Sequence, residues 1–222
     1  MANDGLDLRS SAAIQAGCRS RLYRLLASGF GFPTSEHYER VRGGAFLDEA
    51  QDAILNLPYQ GLPVGQLGKG DGADYGDFQS NYIGVFEAGG KVGAPCFLYE
   101  GEYGGGRMKV MEEVLRFYHH FGLRLSVEKR DRPDHLASEL EFMHVLTFKE
   151  AEALDRGAGA HVYRRAQHAF LQSHLADFTA SVAARIEGGQ VPFYSDLAAL
   201  AYGFCRNDLL YLTAAVNGGQ NG

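Results

Sequence analysis

Residues 132–148, RPDHLASELEFMHVLTF, hold the side chains best suited to chemistry. Asp134 and His135 are neighbours, Glu139 follows His135 by four positions, and Glu141 with His144 makes an ExxH spacing. Positions three or four apart share one face of a helix, so each pair could offer two ligands to one metal ion. A helical carboxylate metal centre needs a second ExxH, and no other histidine follows a glutamate by three. Catalysis by the Asp–His pair meets a similar obstacle. Adjacent helical residues point about 100° apart, so Asp134 would not orient the His135 ring, and no GxSxG elbow supplies a nucleophile. The architectural reading is that Asp134 accepts backbone N–H groups at a helix start, worth about 1 kcal/mol, while His135 is a half-buried polar residue. The expectation is therefore no catalytic residue, no metal and no cofactor. A helical metalloenzyme built on His135, Glu139, Glu141 and His144 is the alternative.

Phosphate-binding loops are not indicated. GEYGGGR (101–107) lacks the GxGxxG spacing, and in GQLGKG (65–70) Lys69 is followed by Gly70 rather than Ser or Thr. The formal charge of −6 argues against nucleic acid or anionic lipid as a partner, since both require clustered Lys and Arg. Cys18, Cys96 and Cys205 are far apart and form no CxxC, which indicates neither a disulfide framework nor a structural zinc site. The first residues, MANDGLDLRSSAAIQAG, contain no apolar core of a secretory signal, and no run approaches the ~18 apolar residues of a membrane span. A cytoplasmic protein without membrane insertion is expected.

The elements that must position these residues follow from periodicity. Ile14, Cys18, Leu22, Leu25 and Leu26 predict a helix from Ser10 to Phe30. Thr34 or Ser35 caps a second, which buries Phe46, Ala50, Ile54 and Leu57 after an interruption at Gly43–Gly44. Residues 58–74, rich in glycine with Pro58 and Pro63, read as a mobile connection. Tyr75, Phe78, Tyr82, Val85 and Phe86 give an aromatic helical stripe. A helix over 107–121 faces inward through Val110, Val114, Phe117 and Phe121 and is closed by Gly122; LRLSV (123–127) is an extended loop. Asp131 caps the next helix, with Pro133 in its first turn and Leu136, Leu140 and Met143 on its inner stripe. One long helix spans 161–187, and Pro192 opens the last, which carries Leu197, Leu200, Ala201 and Phe204. No alternating segment is long enough to found a sheet. The class is all-α, a compact multi-helix bundle. Its organisation is a flexible start (1–9), one helical domain (10–212) and a flexible tail (213–222).

Two groups remain to be placed. The aromatic stripes, Tyr75/Phe78/Tyr82/Phe86 and Phe117/Tyr118/Phe121, suit a core, although tyrosines can line a groove with an apolar ring and a polar tip. The acids Glu100, Glu102, Glu112, Glu113, Asp134, Glu139 and Glu141 suit either plain surface or the rim of such a groove.

RPDHLASELEFMHVL resembles the TorD/DmsD/NarJ group, the cytoplasmic maturation chaperones of molybdenum enzymes, through Pro133, Asp134, His135, Leu136, Glu139, Leu140, Phe142 and Met143. LYEGEYGGG (98–106), VMEEVLRFYHHFGL (110–123), HAFLQSHLADF (168–178) and PFYSDLAALAYGF (192–204) are similar to the group's other segments. The resemblance implies a helical chaperone that binds the twin-arginine leader and the apo form of a molybdopterin-containing catalytic subunit before export. It assigns Asp134 to arginine or backbone contact and His135 to a polar rim, with Glu139, Tyr99, Glu100 and Tyr103 as further contacts. The chain has no tryptophan where some members of the group use one, so the groove's aromatic contact falls to Tyr75, Phe78 or Tyr82. The subtype is similar to accessory subunits of dehydrogenases and oxyanion reductases of the dimethyl sulfoxide reductase superfamily; monomer and homodimer both stay open.

Overall fold

The computed structural model describes residues 8–64, 67, 74–88, 94–125, 132–186 and 191–218. Among these residues the regular structure is helical: α1 (Ser11–Phe30), α2 (Ser35–Arg42), α3 (Ala45–Leu55), α4 (Tyr75–Phe86), α5 (Arg107–His120), α6 (Leu136–Asp155), α7 (His161–Phe170), α8 (Ala176–Ile186) and α9 (Pro192–Gly218). A 3-10 turn spans Glu100–Glu102, and Tyr99 and His135 form an isolated antiparallel bridge.

Local chemistry accounts for most boundaries. Ser10 and Thr34 cap α1 and α2 by accepting the N–H groups of Ala13 and His37, and Gly44, at φ 84°, separates α2 from α3. At the end of α5, Gly122 (φ 71°) donates to the His119 carbonyl, and Leu123 reaches back to Tyr118. This is a Schellman closure that only a residue at home in the left-handed region completes without strain.

Helix α1 lies along α6 in the most extensive helix pair, and α9 packs on α7 and α8. An aromatic core joins Phe30, Phe46, Phe78, Tyr82, Phe86, Phe193 and Tyr194. A second joins Phe117, Tyr118 and Phe121 to Phe142 and Phe170.

Some expectations need correction. Ile14 is 36% exposed, and on α5 it is Tyr118 rather than Phe117 or Phe121 that is fully buried. The long helix over 161–187 is interrupted by a π-helical turn at Leu171–Leu175. Helix α9 runs on to Gly218 where a flexible tail was expected from 213, because Thr213 bonds the Leu209 carbonyl and meets His168 Nε2 at 3.1 Å. Within 58–74, Tyr59 bonds α9 and Leu67 is buried; the expected mobility of 65–66 and 68–73 concerns positions outside the described residues, as do 1–7 and 219–222.

A buried polar network ties the helices together. Arg19 on α1 donates from Nε and Nη2 to Asp208 on α9, from Nη1 to Glu150 on α6, and from Nη2 to Gln167 on α7. Asp208 also accepts from the hydroxyls of Tyr23 (2.7 Å) and Tyr59 (3.0 Å), and Glu150 from Arg164 and Gln167. Burial alone would raise the Glu150 pKa, but Arg19, Arg164 and Gln167 together hold it below the usual carboxylate range. Replacing Arg19 by Met leaves the buried Asp208 without its cation and Glu150 with Arg164 alone. The expected loss is about 3–5 kcal/mol, read as a shift of the urea midpoint; a loss under ~1 kcal/mol would deny the network its role.

Candidate functional site

The two most distinctive stretches of the sequence meet in space. The Glu100 N–H donates to the Asp134 carbonyl and the Leu136 N–H to the Leu98 carbonyl, both at 2.9 Å. The Tyr99 and His135 rings stand edge to face, 5.1 Å between centroids. Residues 132–135 form a turn closed by the His135 N–H on the Arg132 carbonyl, with Pro133 at the second position, where its fixed φ fits. Helix α6 therefore starts at Leu136, and its N-cap is His135, not Asp131. His135 Nδ1 accepts the Ala137 N–H at 3.1 Å, which leaves Nε2 to carry the proton of the neutral ring.

That turn gives Asp134 its task. Its carboxylate is fully buried and accepts Arg132 Nε at 2.9 Å, Arg132 Nη2 at 2.6 Å and the Gly101 N–H at 3.1 Å. Glycine is required at 101, because a Cβ there would stand 2.9 Å from the Arg107 Cα and 3.0 Å from Asp134 Oδ2. The guanidinium of Arg132 lies over the Tyr99 ring at 4.5 Å and reaches Glu102 at 3.1 Å. Its hydrogen bond, with Arg107 donating to the same oxygen, holds Glu102 below the usual carboxylate range. The arginine that Asp134 contacts belongs to its own chain. Spacing hid the pair: residues two apart diverge on a helix, whereas on a turn they meet.

Behind the bridge lies a buried acidic cluster. Glu139 is fully buried and neither oxygen meets an N–H or hydroxyl donor among the described residues; the Glu100 carboxylate faces it and can share a hydrogen bond once a proton lies between them. Burial, then Glu100 and Asp134, push its pKa well above the carboxylate range, so the protonated acid is favoured. The π-helical turn brings His174 Nδ1 to 3.0 and 3.2 Å from the Glu100 oxygens. Above them Tyr118 donates to the Pro133 carbonyl at 3.0 Å; burial, then Glu139, raises its pKa. His174 and Arg132 were missed by sequence reasoning: Glu100 and His174 are 74 positions apart, and no local pattern marks such a contact.

In front of the bridge is an open cleft of about 800 Å³. It is lined by the C-terminal half of α1, by α2, by Tyr82 of α4, and by the first turns of α6. The half-exposed Phe32 and the partly buried Tyr99 supply aromatic surface, while Tyr118, Phe142 and Tyr82 border the cleft from the core. Of the acids expected on a rim, Glu141 lines the cleft; Glu100, Asp134 and Glu139 lie behind it. Glu112 and Glu113 sit on the outer face of α5 beside Arg116 and Lys109. Glu36 and Glu87 complete the acidic side, while Arg24, Arg40 and Arg124 make the rim mixed rather than purely negative. His37, also on the cleft, was not anticipated. Burial and Arg40 lower its pKa to about 4, so the ring is neutral at physiological pH.

The other expected contacts disperse. Tyr75 is half-buried and bonds the Pro33 carbonyl. Phe78 is fully enclosed by Tyr38, His37, Phe193 and Tyr194, so it belongs to the core and offers no surface to a groove. Tyr103 turns from the cleft to Phe178 and donates to the Phe97 carbonyl. The alternative metal set does not converge: His144 Nδ1 contacts Ser20, His135 Nδ1 is spent on the cap, and the described residues contain no group of three metal-ligating side chains. No helix among them is long and apolar enough to cross a membrane.

Residues 45–184 match the family model described as nitrate reductase delta subunit. The chain is 33% identical over 175 residues to the perchlorate reductase assembly chaperone protein of Dechloromonas aromatica, covering 76% of this chain and 77% of that protein. It is 31% identical over 220 residues to the dimethyl sulfide dehydrogenase assembly chaperone protein of Rhodovulum sulfidophilum, covering 92% and 85%. The solved structure of a putative redox enzyme maturation protein from Archaeoglobus fulgidus has the same fold at 19% identity and a TM-score of 0.50, covering 95% of this chain and 99% of that one.

The raised Glu139 pKa makes a signed prediction. A carboxyl whose folded pKa exceeds its unfolded value stabilises fully below the unfolded value, and that contribution is lost as pH rises through the folded one. Glu139→Gln imitates the protonated acid without titrating. Its stability relative to wild type should therefore grow as pH is raised from about 4.5 towards 8 in urea titrations. Parallel stability curves across that range would contradict a protonated Glu139.

Proposed function

Because the chain belongs to the nitrate reductase delta subunit family, we propose that it is a maturation chaperone for a molybdopterin-containing catalytic subunit and carries out no covalent chemistry of its own. It works in the cytoplasm, binding the twin-arginine leader and the apo form of that subunit until the cofactor is in place and export can proceed. The client is an oxyanion reductase or a sulfide-type dehydrogenase, in line with the relatives named as assembly chaperones for such enzymes.

The cleft is the observation that carries this reading. Its volume and aromatic lining suit an apolar peptide stretch, and Glu36, Glu87 and Glu141 offer carboxylates to flanking guanidinium groups. His135 and Tyr99 contribute directly to that lining, whereas in the unliganded chain Asp134, Glu100 and Glu139 lie behind it and fix the wall. Phe32, packed edge-on to Tyr82, supplies the aromatic contact on the opposite side, and Tyr75 and Tyr103 hold neighbouring segments.

Titration calorimetry with a synthetic leader peptide tests the idea. Micromolar or tighter binding is expected, and His135→Ala or Glu141→Ala should each weaken it by about tenfold, about 1.4 kcal/mol. A peptide with both arginines changed to lysine should also bind less well, since lysine cannot make the forked contact. No binding by the wild-type chain would end the leader reading.

A further inference from the structure

Arg132 is held as a bound ligand would be. Asp134 grips one edge of its guanidinium through two hydrogen bonds, Glu102 takes the other side at 3.1 Å, and the Tyr99 ring covers one face at 4.5 Å. A carboxylate fork, a second carboxylate and an aromatic plane are the three elements that recognise a planar guanidinium. The cage walls are firmly built: Asp134 is buried and fixed by the Gly101 N–H, and the Tyr99 backbone is pinned beside His135. Its occupant is less enclosed, with 27% of the Arg132 side chain exposed.

We propose that Tyr99, Glu102 and Asp134 form an arginine-binding site that Arg132 fills in the unliganded chain and that an arginine of the client leader takes over. The inference rests on the leader reading and deepens it. Tyr99 belongs both to the cage and to the cleft lining, so a peptide seated in the cleft brings its own arginine beside the ring Arg132 covers. Exchange conserves charge: one guanidinium leaves Asp134 and Glu102 as another arrives, and neither carboxylate is left without a cation. Arg132 is thus an internal competitor, and the apparent affinity for the leader is reduced by the fraction of time it occupies the cage. A purely structural Arg132 would instead stay in place when peptide binds.

Calorimetry and arginine side-chain NMR on the full chain separate the two. Arg132→Ala should bind the twin-arginine peptide at least roughly tenfold more tightly than wild type, and Tyr99→Leu added to it should abolish the gain. In wild type, the Arg132 Nε–H should lose its protection from exchange when peptide saturates. Wild-type binding with no gain in a folded Arg132→Ala chain overturns the inference while the leader reading stands. Unchanged Arg132 protection at saturation overturns it too, without relying on the variant's folding. If neither chain binds peptide the leader reading falls, and L-argininamide decides the cage. Saturable binding by Arg132→Ala but not wild type supports it, and binding by neither overturns it.

Discussion

The guanidinium of Arg19 is the constraint on which the rest of the bundle depends. It lies where α1 meets α6, α7 and α9, and its donors reach acceptors on all three partners. Burying a charge this deeply is costly unless every group around it is satisfied. Here Asp208 accepts from two guanidinium nitrogens and two tyrosine hydroxyls, which uses the capacity of its two oxygens. Apolar contacts tolerate sliding, whereas these bonds are directional, so they select one register of α1 against α6. The cleft inherits that register, since its walls are the far end of α1 and the first turns of α6.

Glu150 and Glu139 show two outcomes of the same electrostatics. Where a carboxylate meets a buried cation, as Glu150 does, its pKa falls and the ionised form is kept. Where the nearest charged neighbours are other carboxylates, as for Glu139, burial and repulsion act together and the proton stays on. Helix α6 carries both, one near each end, and each fixes a different junction. Glu150 joins α6 to α1 and α7, and Glu139 faces Glu100 under the bridge that shapes the cleft.

The helices were legible because their signals are local. Ser10 and Thr34 are caps, Gly43–Gly44 and Gly122 are breaks, and the apolar periods of α1, α4 and α9 need no distant information. The start of α6 was misplaced by a local signal as well: Pro133 is acceptable both in a first helical turn and in a β-turn, and the choice was made by pairing with residues 98–100. The candidate site was only half legible. Asp134, His135, Tyr99 and Glu100 do come together, yet Phe78 went to the core because α9 covers it with Phe193 and Tyr194. Arg132 and His174 were hidden for a related reason, since their partners are set by a turn and by a π-helical insertion that spacing does not announce.

What the ionisable groups of the site do also bears on its chemistry. General acid–base catalysis needs a titrating atom within reach of a substrate, with its lone pair or proton uncommitted. His135 Nδ1 is engaged by the Ala137 N–H, the Asp134 oxygens by Arg132 and Gly101, and Glu139 is out of contact with solvent. In the unliganded chain these atoms are engaged in holding a wall, and the surface facing the cleft combines aromatic rings with a rim of mixed charge. Such a surface discriminates by shape and charge. Recognition of that kind needs no group that changes its bonds, since binding that favours no transition state accelerates no reaction.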